Sequence, residues 1–586
     1  MIYFLTILFP VLGAIAGTFL RLGGRATGCL FALAAVPALL LAALYPPGVS
    51  VDWLLLGTHL ELDDARRILL MLTGLLWAVG GLFGGFYLAE DPRLRSFFVY
   101  FGGAMAGNFG LLIAGDVASF YTFFALMTFA SYGLVVHTRT DTARRAGRIY
   151  LVMAILGELF LITALYFAVL RADSLLLRDL APALAAAPDG WWIFLLGLIG
   201  FGVKVGAIPL YFWLPLAHPV APTPASAVLS GAMIKAGLVG WMHLAPVGLV
   251  DWSGIALLMI VLGLTAALGA VAVGLAQVDP KTNLAYSSIS QMGLMTALLG
   301  VGLYGEVPAA LLLPAVALYA FNHGTAKALL FLGTALPAKV GGAWRPVMWG
   351  GLAIGALSIA GAPLTGGLWT KYFLKTFLGD SALPGTGIFL LLLTVSAFAT
   401  TVLLGRFLHL LSRIEGPARS QAPSYFFPWL VLLAAGGWWT LSPVLLPLEL
   451  SEHVTKGQPL AAVYLAPASL WAALWPVAAG ALFFVLTLKV ARLNRWPSQQ
   501  PLVPPGDLLV PILAVGRFLV GRVQAGIDGI ARSFSRTTSP EAVLYDVFEM
   551  PQTKRITGGA EHFLRQWEVA GLSFLLFFIG LLFLLR

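Results

Sequence analysis

The chain has 586 residues, of which 59% are apolar and only 10% charged, and its formal net charge is +9. Soluble domains sit near ~25% charged, so a soluble fold is excluded. Repeated apolar runs of about 20 residues imply an all-α polytopic membrane protein, and no alternating barrel segments compete with that reading. Most Lys and Arg fall in short loops between apolar runs, which explains the basic balance by topology and sets nucleic acid aside. The single cysteine, Cys29, lies in an apolar run and rules out disulfides, cysteine zinc sites and iron–sulfur clusters.

About sixteen spans are expected. The first five are Ile2–Leu20, Ala26–Tyr45, Ile68–Ala89, Phe97–Ala114 and Val117–His137, the first read as retained rather than as a signal peptide. Ile149–Leu170, Trp191–Leu210, Thr223–Pro246, Gly254–Gln277 and Asn283–Leu303 follow. Then come Val307–Ala335, Gly350–Leu378, Gly387–Leu411, Ser424–Leu446, Pro467–Leu493 and Val569–Leu585. If the N-terminus lies outside, loops after odd-numbered spans carry Arg21, Arg25, Arg93, Arg95, Arg139, Arg144 and Arg145, and later Lys339, Arg345, Arg413 and Arg419. The other side holds few basic residues and collects Asp52, Glu61, Asp63 and Asp64. By the positive-inside rule both termini are then expected on the non-cytoplasmic side of a prokaryotic cell membrane.

Behind the fifteenth span, "PSQQPLVPPGDLL" breaks the chain. The segment after it places Arg517, Arg522, Asp528, Arg532 and Arg536 at helical spacing, as in an amphipathic helix lying along the cytoplasmic surface. The expected division is residues 1–96 as N-terminal helices, 97–246 and 247–414 as two inverted repeats, and 415–495 as additional spans. A lateral segment, 496–565, and a last span, 566–586, complete it.

Five lysines fall inside spans: Lys204, Lys235, Lys327, Lys371 and Lys375. Only one acid, Glu158, sits deep, about 15 Å beyond Arg148 at the helical rise. A charge at the centre of a spanning helix costs about 2.5–3.5 kcal/mol, so such residues usually face a polar interior and mark ion or proton routes. Lys375, and to a lesser degree Lys327, can instead snorkel to a surface. Pro209 follows Lys204 in "VKVGAIPLYFWLP", and Pro363 precedes Lys371 in "LSIAGAPLTGGLWTKYFLK", so the seventh and twelfth helices should be broken within the membrane. Interrupted helices in corresponding parts of two halves are a transporter signature. His218, in "LPLAHPVAP", and His323, one turn before Lys327 in "FNHGTAKALLF", supply groups suited to proton exchange or, more plainly, to hydrogen-bonded packing.

These stretches, with "DPKTNLAYSSISQMG", resemble the antiporter-like subunits of respiratory complex I and their relatives in Mrp-type cation/proton antiporters and energy-converting hydrogenases. The resemblance implies a subunit that moves protons, or sodium, along a central row of buried side chains, with no cofactor of its own. Partners would be other membrane subunits and a peripheral redox arm, or an antiporter assembly. It also implies pathway roles for Lys204, His218, Lys235, His323, Lys327 and Lys371, and a structural role for Asp279 and Lys281. Two departures stand out. "FFALMTFASY" has Ala125 where relatives carry a glutamate that pairs with the seventh-helix lysine, and Glu158 is expected to replace it. Ala320 stands where many members have a further histidine. A free-standing anion transporter, with lysines binding substrate charge, and a non-pumping partner of a soluble carbon-capturing protein are the alternatives.

Overall fold

The computed structural model describes residues 1–305, 307–441, 446–489 and 500–507. Met1–Val51 with Thr58–Asp507 form one compact unit. The expected surface helix and the sixteenth span, Val569–Leu585, lie outside the described residues.

Helices α1 (Ile2–Phe19), α2 (Gly24–Ala34) and α3 (Val36–Leu44) lead to two short strands, β1 (Val49–Val51) and β2 (Thr58–Leu60), paired antiparallel. Then come α4 (Asp64–Tyr87), α5 (Leu94–Ile113), α6 (Val117–Val135) and α7 (Asp141–Ala172). Three of these starts are written in the sequence. Asp63 accepts the Arg66 N–H at 2.7 Å, Asp116 accepts that of Ser119 at 2.7 Å, and Thr140 accepts that of Ala143 at 3.2 Å. Each satisfies a donor that the first turn leaves free.

After α8 (Leu177–Ala186), helix α9 (Gly190–Val205) stops inside the bundle at Gly206, whose φ of 74° is the left-handed conformation that ends a helix without a Cβ penalty. The chain turns past Pro209 and resumes as α10 (Leu214–Val220). The eighth span is composite: α11 (Thr223–Val228), a π-helical turn over Leu229–Met233, and α12 (Lys235–Leu244). Helices α13 (Ser253–Leu275), α14 (Pro280–Val301) and α15 (Ala309–Gly333) are continuous. Asp279 caps α14, accepting the N–H groups of Lys281 and Thr282, both at 3.1 Å, so that "DPKT" acts as a helix start.

The twelfth span repeats the break. Helix α16 (Trp344–Ala360) ends at Gly361 with φ 84°, and α17 (Gly366–Asp380) begins after Pro363. Helices α18 (Thr386–Ser412), α19 (Phe426–Leu441), α20 (Leu448–Thr455), α21 (Leu460–Tyr464) and α22 (Pro467–Lys489) follow. The expected count of sixteen is not confirmed by helix length alone. Among the described residues 12 helices are long and apolar enough to cross a membrane, and Gly190–Val205 and Phe426–Trp438 are shorter apolar helices. Breaking is the physical reason: α9, α16 and α17 have only 16, 17 and 15 residues.

Close helix packing replaces a soluble core. Gly263 on α13 and Gly293 on α14 approach so tightly that a Cβ on either would strike the other's carbonyl oxygen. Every residue of α14 from Thr282 to Val301 is buried, so this helix, like the Thr223–Leu244 span, is enclosed by its neighbours. Loop contacts sort into two faces. On one, β2 bridges to Ala114, Asp116 bridges to Leu176, and Arg66 donates to the Ala114 carbonyl at 2.6 Å. On the opposite face Arg93 donates to the carbonyls of His137 and Thr138 at 3.2 and 2.9 Å, and Gly341 bridges to Gln421. Residues 500–507 also dock there. Leu502 donates to Ala276 at 3.1 Å, and Asp507 accepts from Tyr211 and Tyr286 at 2.7 and 3.0 Å.

Candidate functional site

Helix α7 turns an apolar face outward, with Ile155, Leu156, Leu159 and Ile162 exposed, while Glu158 faces inward and is buried. Gly157 and Gly200 let α7 and α9 touch: a Cβ on Gly200 would lie 2.7 Å from the Leu161 nitrogen. That contact sets Glu158 and Lys204 on the wall of one cavity of about 20 Å³, shared with Thr128 and Tyr150. A volume of about 15 Å³ suffices for one water. Lys204 donates to Thr128 Oγ1 and to Tyr150 OH, both at 3.2 Å, and lies 5.8 Å from the Phe124 ring centre. Tyr150 in turn reaches Ser131 at 3.0 Å and the Thr128 carbonyl at 3.0 Å.

The expected direct contact between Glu158 and Lys204 is not formed. No oxygen of Glu158 lies within 4.0 Å of the ammonium, and Glu158 Oε1 is buried with no hydrogen-bond partner among the described residues. Sequence reasoning missed the hydroxyls. Thr128 sits three positions after Ala125 in "FFALMTFASY", and Tyr150 two helical turns before Glu158, so both were legible as inward-facing polar positions.

Lys235 opens α12, directly after the π-helical turn. Such turns displace backbone carbonyls from the regular ladder and recur at functional sites. Here Lys235 Nζ donates to the Ser230 carbonyl at 2.6 Å and contacts His323 Nδ1 at 3.0 Å. The approach of α15 is permitted by Gly231 and Gly324, since a Cβ on Gly231 would meet the Gly324 carbonyl oxygen at 3.1 Å. Ser230 also shares a 2.8 Å hydrogen bond with Ser288 of α14. The other ring nitrogen, His323 Nε2, is buried and has no partner among the described residues.

One turn further along α15, Lys327 donates to the Leu284 carbonyl at 2.7 Å and lies 6.0 Å from the Phe331 ring. His218 stacks on that ring at 4.5 Å, and both its nitrogens are buried without partners among the described residues. Lys371 reaches back across the helix break to the Ala360 carbonyl at 2.7 Å, the last residue of α16. A cation at a helix C-terminus meets free carbonyls and the negative end of the helix dipole.

The expected row therefore lies in four local settings: Glu158 with Lys204, Lys235 with His323, Lys327 with His218 over Phe331, and Lys371 at the break. Each ammonium is met by hydroxyl, carbonyl or imidazole rather than by a carboxylate. Among the described residues only Lys235 and His323 of the row touch through a direct side-chain hydrogen bond. No group of three or more His, Cys, Asp or Glu placed to hold a metal ion occurs among the described residues.

Residues 114–400, which contain α6 through most of α18 and every residue of the row, match the family described as "NADH:quinone oxidoreductase/Mrp antiporter, TM". Through that segment the chain is similar to the antiporter-like membrane subunits. Hydrogenase-4 component B of Escherichia coli is 30% identical over 344 residues, covering 54% of this chain and 50% of the relative. A Na(+)/H(+) antiporter subunit of Alkalihalophilus pseudofirmus is 27% identical over 345 residues, covering 56% of this chain and 68% of the relative. The fold matches a subunit of the solved Mrp complex from Dietzia sp. with a TM-score of 0.73 at 22% identity, covering 96% of this chain and 66% of that one. The chain spans about half the length of the curated relatives it matches first.

Proposed function

We propose that the chain is a proton-translocating membrane subunit of a multisubunit complex, with Glu158, Lys204, His218, Lys235, His323, Lys327 and Lys371 as its pathway. The observation that carries this is the buried Lys235–His323 contact at 3.0 Å, with no acid attached. An ammonium and an imidazole nitrogen can pass one proton between them, and neither residue needs to leave its helix. A nitrogen pair suits a proton better than sodium, which prefers oxygen ligands. Between the settings, water would bridge the gaps, and the cavity at Lys204 is large enough for one molecule.

Glu158 supplies the charge that relatives place on the preceding helix. Its protonation changes the field at Lys204 across the shared cavity, and at an effective dielectric near ~20 a unit charge a few ångströms away is worth about 4 kcal/mol. That suffices to move a proton off a lysine. Hydrogenase-4 component B and the antiporter relative name two settings for such a device, a redox-driven complex and a cation antiporter. In either, other membrane subunits are the partners and the driving force comes from outside this chain. The arginine-bearing face is cytoplasmic in this reading, and 97–246 and 247–414 are the two inverted repeats.

The test is flux. The complex carrying this chain, reconstituted in vesicles with a pH-sensitive dye, should acidify or alkalinise the lumen, and Lys235→Ala should abolish that flux while the complex still assembles. Flux that follows sodium and ignores the proton gradient, or an unaltered rate in Lys235→Ala, overturns the proposal.

A further inference from the structure

Lys371 and Lys375 lie four residues apart on α17, hence on one face of the helix. Both open on a cavity of about 300 Å³ between α17, α18 and the first turns of α22. Its remaining walls are mostly apolar, among them Leu393, Ala397, Ala472 and Pro476, and among the described residues no acidic side chain lines it. Lys371 is committed to the Ala360 carbonyl. Lys375 is half-buried, and no hydrogen bond or ion pair holds its ammonium among the described residues. Among the described residues these two cations share an apolar cleft with no acidic side chain to balance them.

The depth of the cleft says what kind of counter-charge fits. Lys375 stands five residues before the end of α17 at Asp380, about 7.5 Å along the axis, a distance from the helix end over which a lysine side chain reaches headgroup level. Ala472 and Pro476 lie about 8 and 14 Å from the start of α22, so the apolar walls continue inward from the charge. On the same turns Trp471 is 64% and Trp475 45% exposed. Exposed tryptophans at this level belong to the aromatic belt that meets lipid headgroups. The cavity equals the volume of about ten liquid waters, room for a phosphate and the first part of an acyl chain. Along the outer face of α18, Ile388, Leu391 and Val395 are exposed for the rest of the chain.

We propose that this cleft is a binding site for an anionic phospholipid, its phosphate held by Lys375 with Lys371 beneath and its acyl chain lying between α18 and α22. The site is independent of whether the chain moves ions, because its anchoring residue, Lys375, is outside the pathway. A lipid seated there would fix the electrostatic surroundings of Lys371 at the broken helix.

The test is photolabelling of the intact complex with phosphatidylglycerol carrying a diazirine on its acyl chain, followed by peptide mapping. Labels should fall within 389–397 and 468–476. The phosphatidylcholine analogue should label those peptides far less. Lys375→Gln should weaken phosphatidylglycerol labelling about fivefold, the share of one lysine facing an anionic headgroup. Ala472→Trp, which fills the cavity and keeps the charge, should remove it. Equal labelling by both lipids, unchanged labelling in both variants, displacement by inorganic phosphate alone, or capture of a neighbouring subunit's peptide in place of lipid would each overturn the proposal.

Discussion

Lysines in a bilayer need an environment that can tolerate both the charged and the neutral form. Carbonyl and hydroxyl oxygens do this, because they accept from an ammonium and yet lose little when it gives up its proton. A carboxylate at contact distance would hold the proton in place. Glu158, near Lys204 but not touching it, therefore suits a switch better than a clamp. Glu158→Gln and Lys204→Ala should each lower proton flux about 100-fold, the low end of what a positioned proton-transfer group contributes. Assembly, checked by size-exclusion of the complex, should be unchanged, and a wild-type rate in Glu158→Gln would remove the residue from the pathway. Every member of the row was legible, since an ionisable residue in an apolar run is conspicuous. Their immediate partners were not. The carbonyls of Ser230, Leu284 and Ala360 carry no side-chain signal, and only the fold decides which of them face a lysine.

Helix breaks and glycine contacts decide where those side chains meet. The prolines at 209 and 363 marked both breaks in the sequence, whereas the π-helical turn before Lys235 had no such mark, because "LSGAM" contains no breaker that distinguishes it from a regular helix. The β1–β2 hairpin was equally silent, its three-residue strands being too short for a visible alternation. Trp213 holds the first break by donating to the Val203 carbonyl at 2.7 Å. Trp213→Phe should cost about 1 kcal/mol, readable as a lower Tm in detergent. Gly237 lets α12 lie on α9, where a Cβ would come within 2.6 Å of the Phe201 carbonyl oxygen. Gly237→Leu should destabilise the bundle by about 1–3 kcal/mol, and an unchanged Tm would show that this crossing bears no packing load. Between α4 and α5, Asp91 feels burial, which favours its neutral form, but hydrogen bonds from the Arg93 N–H and His137, with the charges of both, outweigh it and hold the carboxyl below its ordinary value. Its stabilising contribution is thus fully present above the usual carboxylate pKa near ~4 and is lost as pH falls through the depressed value. Asp91→Asn should flatten the acid limb of a Tm-versus-pH curve, and an identical limb would assign acid sensitivity elsewhere.

For the molecule as a whole, composition settled the membrane class and charge asymmetry set an orientation that accessibility can check. In a Cys29→Ser background, a cysteine placed at Asp251 should react with an impermeant maleimide in intact cells, and one at Thr138 only after lysis. The reverse pattern would invert the topology. The span count is settled less firmly than the class, because a length criterion set for continuous helices passes over the interrupted ones, α9, α16 and α17. The resemblance to the family was readable from Lys204 to Lys371, the stretch that also holds most of the row, and the family match runs over residues 114–400. The central claim is that Lys235 works by exchanging a proton with His323, not merely by carrying a positive charge. Proton flux through the reconstituted complex with Lys235→Arg decides this, since arginine keeps the charge and cannot release it. A fully assembled complex with flux lost is the predicted result, and a rate equal to wild type would contradict it.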